Sequence, residues 1–436
     1  MKRIAGWLAT ISPAPEERTA ALLSFAYFFT LFAAYYVLRP LRDQMGIAGG
    51  IRNLPWLFAA TFLALLIAQP LYGALVARWS RSRFIPFVYH FFAVNILIFW
   101  LLLTLEIAPA AVARAFFVWV SVFNLFAVAV FWSYMADIFT SEQGKRLFGF
   151  IGAGGTAGSL LGPVLTIALS VPLGPVNLLL AAAALIELVI LCVRRLERGT
   201  AAADASRQAA AEREAGGSAQ LGGEAYGGLT EVLRSPYLAG IALWVSLLSL
   251  SATFLYLLQA NIIATNISDR AAQTRLFASI DLVVGLMTLG TQLFATGRLI
   301  QRFGVSPAAA ALPFVYAVGF PVLAAAPGLG VVVAFQAIQR SAHFAISNPA
   351  RHTLFTVVTR EEKYKAKNVI DVVIYRGSDA LWGALFGAAQ AAGFGVAAIA
   401  ACALPFTLGW LGLSVALGRN HDRRAKRLAV NNDAGG

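Results

Sequence analysis

The chain has 436 residues, 59% of them hydrophobic and only 13% charged, with a net charge of +13. Soluble domains carry roughly 25% charged residues, so the composition excludes an ordinary water-soluble enzyme. The basic excess is what a membrane protein keeps on its cytoplasmic side, and no nucleic-acid partner is expected.

Residues 1–19, "MKRIAGWLATISPAPEERT", start basic, but their apolar stretch is short and ends at Pro13 and Pro15. A cleavable signal is not expected; a cytoplasmic segment with a helix lying at the interface is, and the first span then serves as the targeting signal. Blocks apolar enough to cross a bilayer, at about 20 residues each, follow at 20–38, 54–77, 84–104, 112–136, 148–170 and 176–193. A second set occupies 237–259, 277–297, 305–325, 329–349, 367–391 and 394–417. The expected architecture is an all-α membrane protein of twelve transmembrane helices in two six-helix bundles, 20–193 and 237–417. Residues 194–236 are rich in Ala, Gly, Ser and mixed charge, the composition of a flexible cytoplasmic tether with at most one short helix, and 418–436 form a tail.

Charge orients these spans. With both termini in the cytoplasm and residues at span ends counted with the adjoining segment, the cytoplasmic segments hold 26 Lys and Arg and the opposite segments 6, the other two, Arg340 and Arg376, lying deep within spans. That asymmetry predicts a multi-pass protein of a bacterial-type inner membrane with both ends inside. The halves echo each other: "LVARWSRSRFIPFVY" (75–89) matches "ATGRLIQRFGVSPAAAALPFVY" (295–316) in place, and "SEQGKRLFG" (141–149) matches "REEKYKAKN" (360–368). A duplicated six-span unit places a solute site between the halves.

Ionisable residues within spans are expensive, about 2.5–3.5 kcal/mol each on insertion scales, and point to function. Arg39, Arg42 and Asp43 in "AAYYVLRPLRDQMG" share one face if the helix continues past Pro40. Two readings stay open there: snorkelling anchors at the outer surface, or inward-facing charges. In the tenth span, "FQAIQRSAHFAISNPARH", Arg340, Ser347 and Arg351 form a polar stripe with His343 slightly off it. The eleventh, "YKAKNVIDVVIYRGSDALWGALF", carries Lys367, Asp371, Tyr375, Arg376 and Asp379 at offsets of three and four. These two spans are read as lining a cavity. Asp281 and Glu187, single acids, are read as structural. Cys192 and Cys402 lack ligand-like spacing and are read as small core residues.

"GAGGTAGSLLGP" (152–163) has nucleotide-fold glycine spacing but no preceding strand. Gly154, Gly158 and Gly162, four apart, instead suit a close helix–helix approach, as does "GALFG" (383–387). No GxxxxGK[ST], HExxH or histidine cluster is present, so an enzyme or ATP-driven pump is not expected, nor any metal or cofactor.

Three stretches carry a resemblance. "YYVLRPLRDQMG", "VFWSYMADIFTSEQGKRLFGFIGAGG" (130–155) and "KYKAKNVIDVVIYRGSDALWGAL" (363–385) resemble, in order, the first-span, fourth-to-fifth-span and eleventh-span segments of the bacterial and plastid nucleotide (ATP/ADP) transporters. That family is related to the major facilitator superfamily, whose antiporter motif in the fifth span "GSLLGP" is similar to. The resemblance implies a major-facilitator-like fold and makes Arg42 the counterpart of the family's first-span lysine and Lys367 a candidate for its eleventh-span lysine. Where the family has glutamates in the fourth and seventh spans, this chain has Asn124, and Gln259 with Asn261.

The leading expectation is a secondary transporter that moves an anionic solute, a nucleotide or phosphorylated metabolite, by alternating access, with ATP/ADP antiport implied by the resemblance alone. Arg39, Arg42, Arg340, Lys367 and Arg376 would bind the solute. Asp43, Asp371, Asp379 and His343 would balance charge or carry a coupling ion. A proton-coupled exporter of apolar or cationic compounds and a non-transporting membrane scaffold or sensor are the alternatives. The lipid bilayer and a small anion are the expected partners of a monomer.

Overall fold

The computed structural model describes residues 17–79, 81–214, 230, 232–296, 302, 304–358, 366–367 and 369–433. Among them the chain is helical throughout, with no strand. The interfacial helix expected over 1–19 lies almost wholly outside the described residues. The first six spans are Arg18–Ala48, Leu54–Arg78, Arg81–Thr104, Pro109–Ile138, Ser141–Leu169 and Leu178–Glu214. The seventh to ninth are Pro236–Asn266, Arg270–Thr291 and Val305–Ala325.

The tenth and eleventh are not uniform. An α-helix over Leu329–Ala342 passes through a π-helical stretch, His343–Ser347, into Asn348–Leu354. The eleventh begins π-helical at Val369–Ile374 and becomes α-helical over Tyr375–Ala391. Val396–Asp433 is the twelfth.

Ten of these helices are long and apolar enough to cross a membrane. The other two are diluted by charge: Glu187, Arg194 and Arg195 in the sixth, Asp371, Arg376 and Asp379 in the eleventh. Several boundaries differ from the hydropathy pattern, among them the end of the twelfth helix, which runs on to Asp433 through most of the expected tail. The first helix runs through Pro40 to Ala48, since neighbouring helices compensate a proline's missing donor inside a membrane. The sixth continues to Glu214, making the start of the expected tether helical.

Two compact units emerge. The first contains Met1–Gly49, Leu63–Ala219 and Asp269–Leu282. Its centre is aromatic: Phe28 stacks on Phe131, Tyr27 meets Phe131 edge-on, and Tyr27 Oη lies 2.6 Å from Tyr89 Oη, which donates to the Ala127 carbonyl. The fifth helix lies against the first through its glycines. A Cβ at Gly154 would stand 2.5 Å from the Phe25 carbonyl oxygen, and one at Gly162 2.7 Å from that of Ala33. Thr140 caps the fifth helix through Gln143, and Gln143 and Arg146 both donate to Glu17 before the first helix.

The second unit contains Gly50–Phe62, Gln220–Ser268 and Val283–Gly436. The seventh helix packs on the tenth, eleventh and twelfth. Trp244 donates to Ser414 Oγ at 2.8 Å and meets Trp410 edge-on, and Tyr316, Phe320 and Phe335 complete the apolar centre. A polar seam joins the seventh and eleventh helices: Ser378 to Ser246 at 2.9 Å, Trp382 Nε1 to the Ser246 carbonyl at 3.0 Å, and Gln390 to Asn261 at 3.1 Å. Gly383 and Gly387 of the eleventh lie against Pro55. Neither cysteine is disulfide-bonded; Cys402 is exposed rather than a core residue.

Candidate functional site

In the first unit, continuation of the helix past Pro40 carries Arg39, Arg42 and Asp43 into protein surroundings. Arg42 donates from Nε and Nη2 to Asp43 Oδ1 at 3.0 and 2.7 Å and lies over the Phe117 ring. Arg39 is balanced from the eighth helix, with Nε 3.8 Å from Asp281 Oδ2, and lies over Tyr36. Asp43 and Asp281 are buried, and each carboxylate has its guanidinium. Asp281, a lone acid in sequence, is thus the counter-charge of Arg39.

The second unit holds the richer group. The tenth helix presents Arg340, His343, Ser347 and Arg351 in succession across the π-helical stretch, a widened winding common at functional sites. Arg351 Nη1 is 3.5 Å from Asp371 Oδ1, which itself lies in the π-helical start of the eleventh helix. Among the described residues, His343 Nδ1, Ser347 Oγ and Arg351 Nε are buried with no hydrogen-bond partner. Buried polar atoms are nearly always satisfied, so three on successive turns of one helix suit a ligand or ordered water.

About two turns past Asp371, Asp379 is buried; Ser249 Oγ donates to its Oδ1 at 2.6 Å, Thr253 Oγ1 lies 3.4 Å away, and Arg376 Nη1 is 3.5 Å from its Oδ2. Lys367, partly buried, precedes the π-helical stretch. The structure therefore pairs Arg376 with Asp379 and brings Arg351, weighed only as part of a stripe, to Asp371. The hydroxyls of Ser246, Ser249 and Thr253 escaped notice because each is individually common in an apolar helix; their recurrence at offsets of three and four was the available signal. Glu187, taken as structural, meets the His90 ring at 3.3 Å, and Arg194 reaches the other ring nitrogen at 3.2 Å. Among the described residues no three His, Cys, Asp or Glu side chains gather as a metal ion requires.

Arranged in this way, the second unit offers guanidinium groups able to bind an anion's oxygens, with carboxylates that neutralise two of them in its absence. Residues 19–267 match the sequence pattern of the Major Facilitator Superfamily, more than half of the chain, and the chain belongs to that superfamily. It is a multi-pass membrane transporter of that class. No curated protein matches it.

Among solved structures, the fold is similar to that of a bacterial homologue of the iron transporter ferroportin in an inward-facing state. The TM-score is 0.66 at 12% identity, covering 93% of this chain and 100% of that one. A variant of the nucleoside transporter NupG gives 0.59 at 14% identity, over 93% and 99%. A bacterial homologue of the human lysosomal transporter Spinster, inward-facing and unoccupied, gives 0.51 at 15% identity, over 95% and 98%. At these identities the likeness concerns the fold.

Proposed function

We propose that this protein is a secondary transporter of the bacterial inner membrane that moves an anionic solute, a nucleotide or phosphorylated metabolite, by alternating access. The observation that carries this reading is the run of buried, unpartnered polar atoms at His343, Ser347 and Arg351, with Asp371 of the eleventh helix 3.5 Å from Arg351. Arg351 and Arg376 each hold their acid at 3.5 Å, longer than the roughly 2.7–2.9 Å of a well-formed charge-assisted bond, so an incoming phosphate can compete for them. Arg340 and Lys367 add positive charge on the same two helices. Arg42, gripped by Asp43 at 2.7 Å, begins from a more settled pairing, and Arg39 stands 3.8 Å from Asp281. Likeness to the nucleotide transporters makes ATP/ADP-type exchange the first specific form to test.

The test is uptake of labelled ATP, ADP, phosphate and phosphorylated sugars by proteoliposomes containing the purified protein, preloaded with unlabelled solute. Arg351→Ala and Arg376→Ala are each expected to lower uptake at least ~10-fold, the scale of one lost charge-assisted bond. Wild-type rates in both variants, or efflux of a cationic dye with no anion flux, would overturn the proposal.

A further inference from the structure

Resting on that reading, we infer that Asp379 is the coupling group: it takes up a proton when the solute draws Arg376 away, so that anion and proton cross together. The surroundings of Asp379 differ from those of the other acids. Its side chain is 11% exposed while that of Arg376 is 34% exposed, so the arginine is the more accessible partner of the pair. Their 3.5 Å separation is loose, whereas the Ser249 hydroxyl is held at 2.6 Å.

Among the described residues, the elements packed on this acid offer no replacement cation. The seventh helix, Pro236–Asn266, contains no Asp, Glu, Lys, Arg or His, only Tyr237 and Tyr256 as titratable groups, and the segment 54–62 of the second helix contains none. On its own helix the neighbours are Asp371, Tyr375 and Arg376. Once Arg376 turns to a solute, a buried carboxylate is left with two hydroxyl donors and no positive charge. That is an expensive state in low dielectric, and a proton removes it.

Asp43 does not meet these conditions, because Arg42 holds it through two nitrogens at 3.0 and 2.7 Å. Asp371 is less enclosed, its side chain 28% exposed against 11% for Asp379.

In the step itself a solute oxygen accepts from the Arg376 guanidinium, and a proton from the aqueous side forms an O–H bond at Asp379 Oδ2. Ser249 continues to donate to Oδ1. The proton offsets one unit of the solute's negative charge, and release of the solute returns Arg376 and expels the proton. A proton fits better than a sodium ion: both oxygens of Asp379 with Ser249 Oγ and Thr253 Oγ1 make four, fewer than the six or so a hard cation gathers, and 2.6 Å is a hydrogen-bond distance.

The experiment is calorimetric titration of the full-length protein in detergent with ATP, ADP and inorganic phosphate, in two buffers of different ionisation enthalpy. The difference between buffers counts protons taken up per anion bound. The wild type is expected to take up about one and Asp379→Asn close to none, as proton linkage requires. Anion binding by the wild type with no proton uptake, or with a sodium requirement in its place, overturns this inference and leaves the substrate reading standing. Equal uptake by Asp379→Asn assigns the proton elsewhere and overturns it too. A wild type that binds none of the three anions brings down the substrate reading and this inference with it, and the wild-type count decides even where the variant fails to fold.

Discussion

Replacing Gly158 by alanine tests how the first and fifth helices are held. A methyl group there would fall on the Phe29 carbonyl oxygen and lie 3.0 Å from the Ala33 nitrogen, both backbone atoms of the first helix. Neither can rotate away, so the two helices must separate. Overpacking of this kind costs about 1–3 kcal/mol, against which alanine's better helix propensity returns roughly 0.5–1 kcal/mol. Gly152 lies on the same helix with nothing within 4 Å of an added Cβ, so Gly152→Ala keeps only the gain.

The same chemical change therefore has opposite signs six residues apart. By thermal unfolding in detergent, at about 2–4 °C per kcal/mol for a unit of this size, Gly152→Ala is expected to rise by a few degrees and Gly158→Ala to fall. Equal melting temperatures for the two variants would refute the close-approach account of this interface.

Arg39→Ala leaves Asp281, 2% exposed, without its guanidinium, and is expected to lose about 3–5 kcal/mol in the same assay; adding Asp281→Asn should recover part of it. Ser249→Ala removes a hydroxyl donor at 2.6 Å from a buried carboxylate and should cost about 1.5–3 kcal/mol. Thr253→Val, acting at 3.4 Å, should cost under about 1 kcal/mol, so a reversed order of the two would remove Asp379 from the centre of this cluster. Tyr27→Phe breaks the 2.6 Å contact with Tyr89 Oη and is expected to cost about 1 kcal/mol in thermal unfolding.

The helices were legible in the sequence because lipid forces apolar composition along each span, and that signal survives without knowledge of packing. The glycines at 154, 158 and 162 were equally readable, since their spacing has one economical use on a membrane helix. Pairings were not. Nothing in the local sequence ties Arg39 to Asp281, and a proline one residue on suggested that the helix had ended. The π-helical stretches at His343–Ser347 and Val369–Ile374 have no compositional mark, yet they lie where the charged residues of the tenth and eleventh helices are concentrated. Arg351 was legible as part of a polar stripe, but its pairing with Asp371 depends on how the tenth and eleventh helices fold together.

The bonds joining the seventh and eleventh helices run from Ser246 and Ser378 at one end to Asn261 and Gln390 at the other, a reach of roughly 20 Å at 1.5 Å per residue. Rivets spaced that far apart forbid sliding or rolling of one rod against the other, because a slip at any point undoes them all at once and hydrocarbon supplies no substitutes. Whatever stroke this protein makes, these two rods travel as a single plank, and the acid and hydroxyls at Asp379, Ser249 and Thr253 ride along with it.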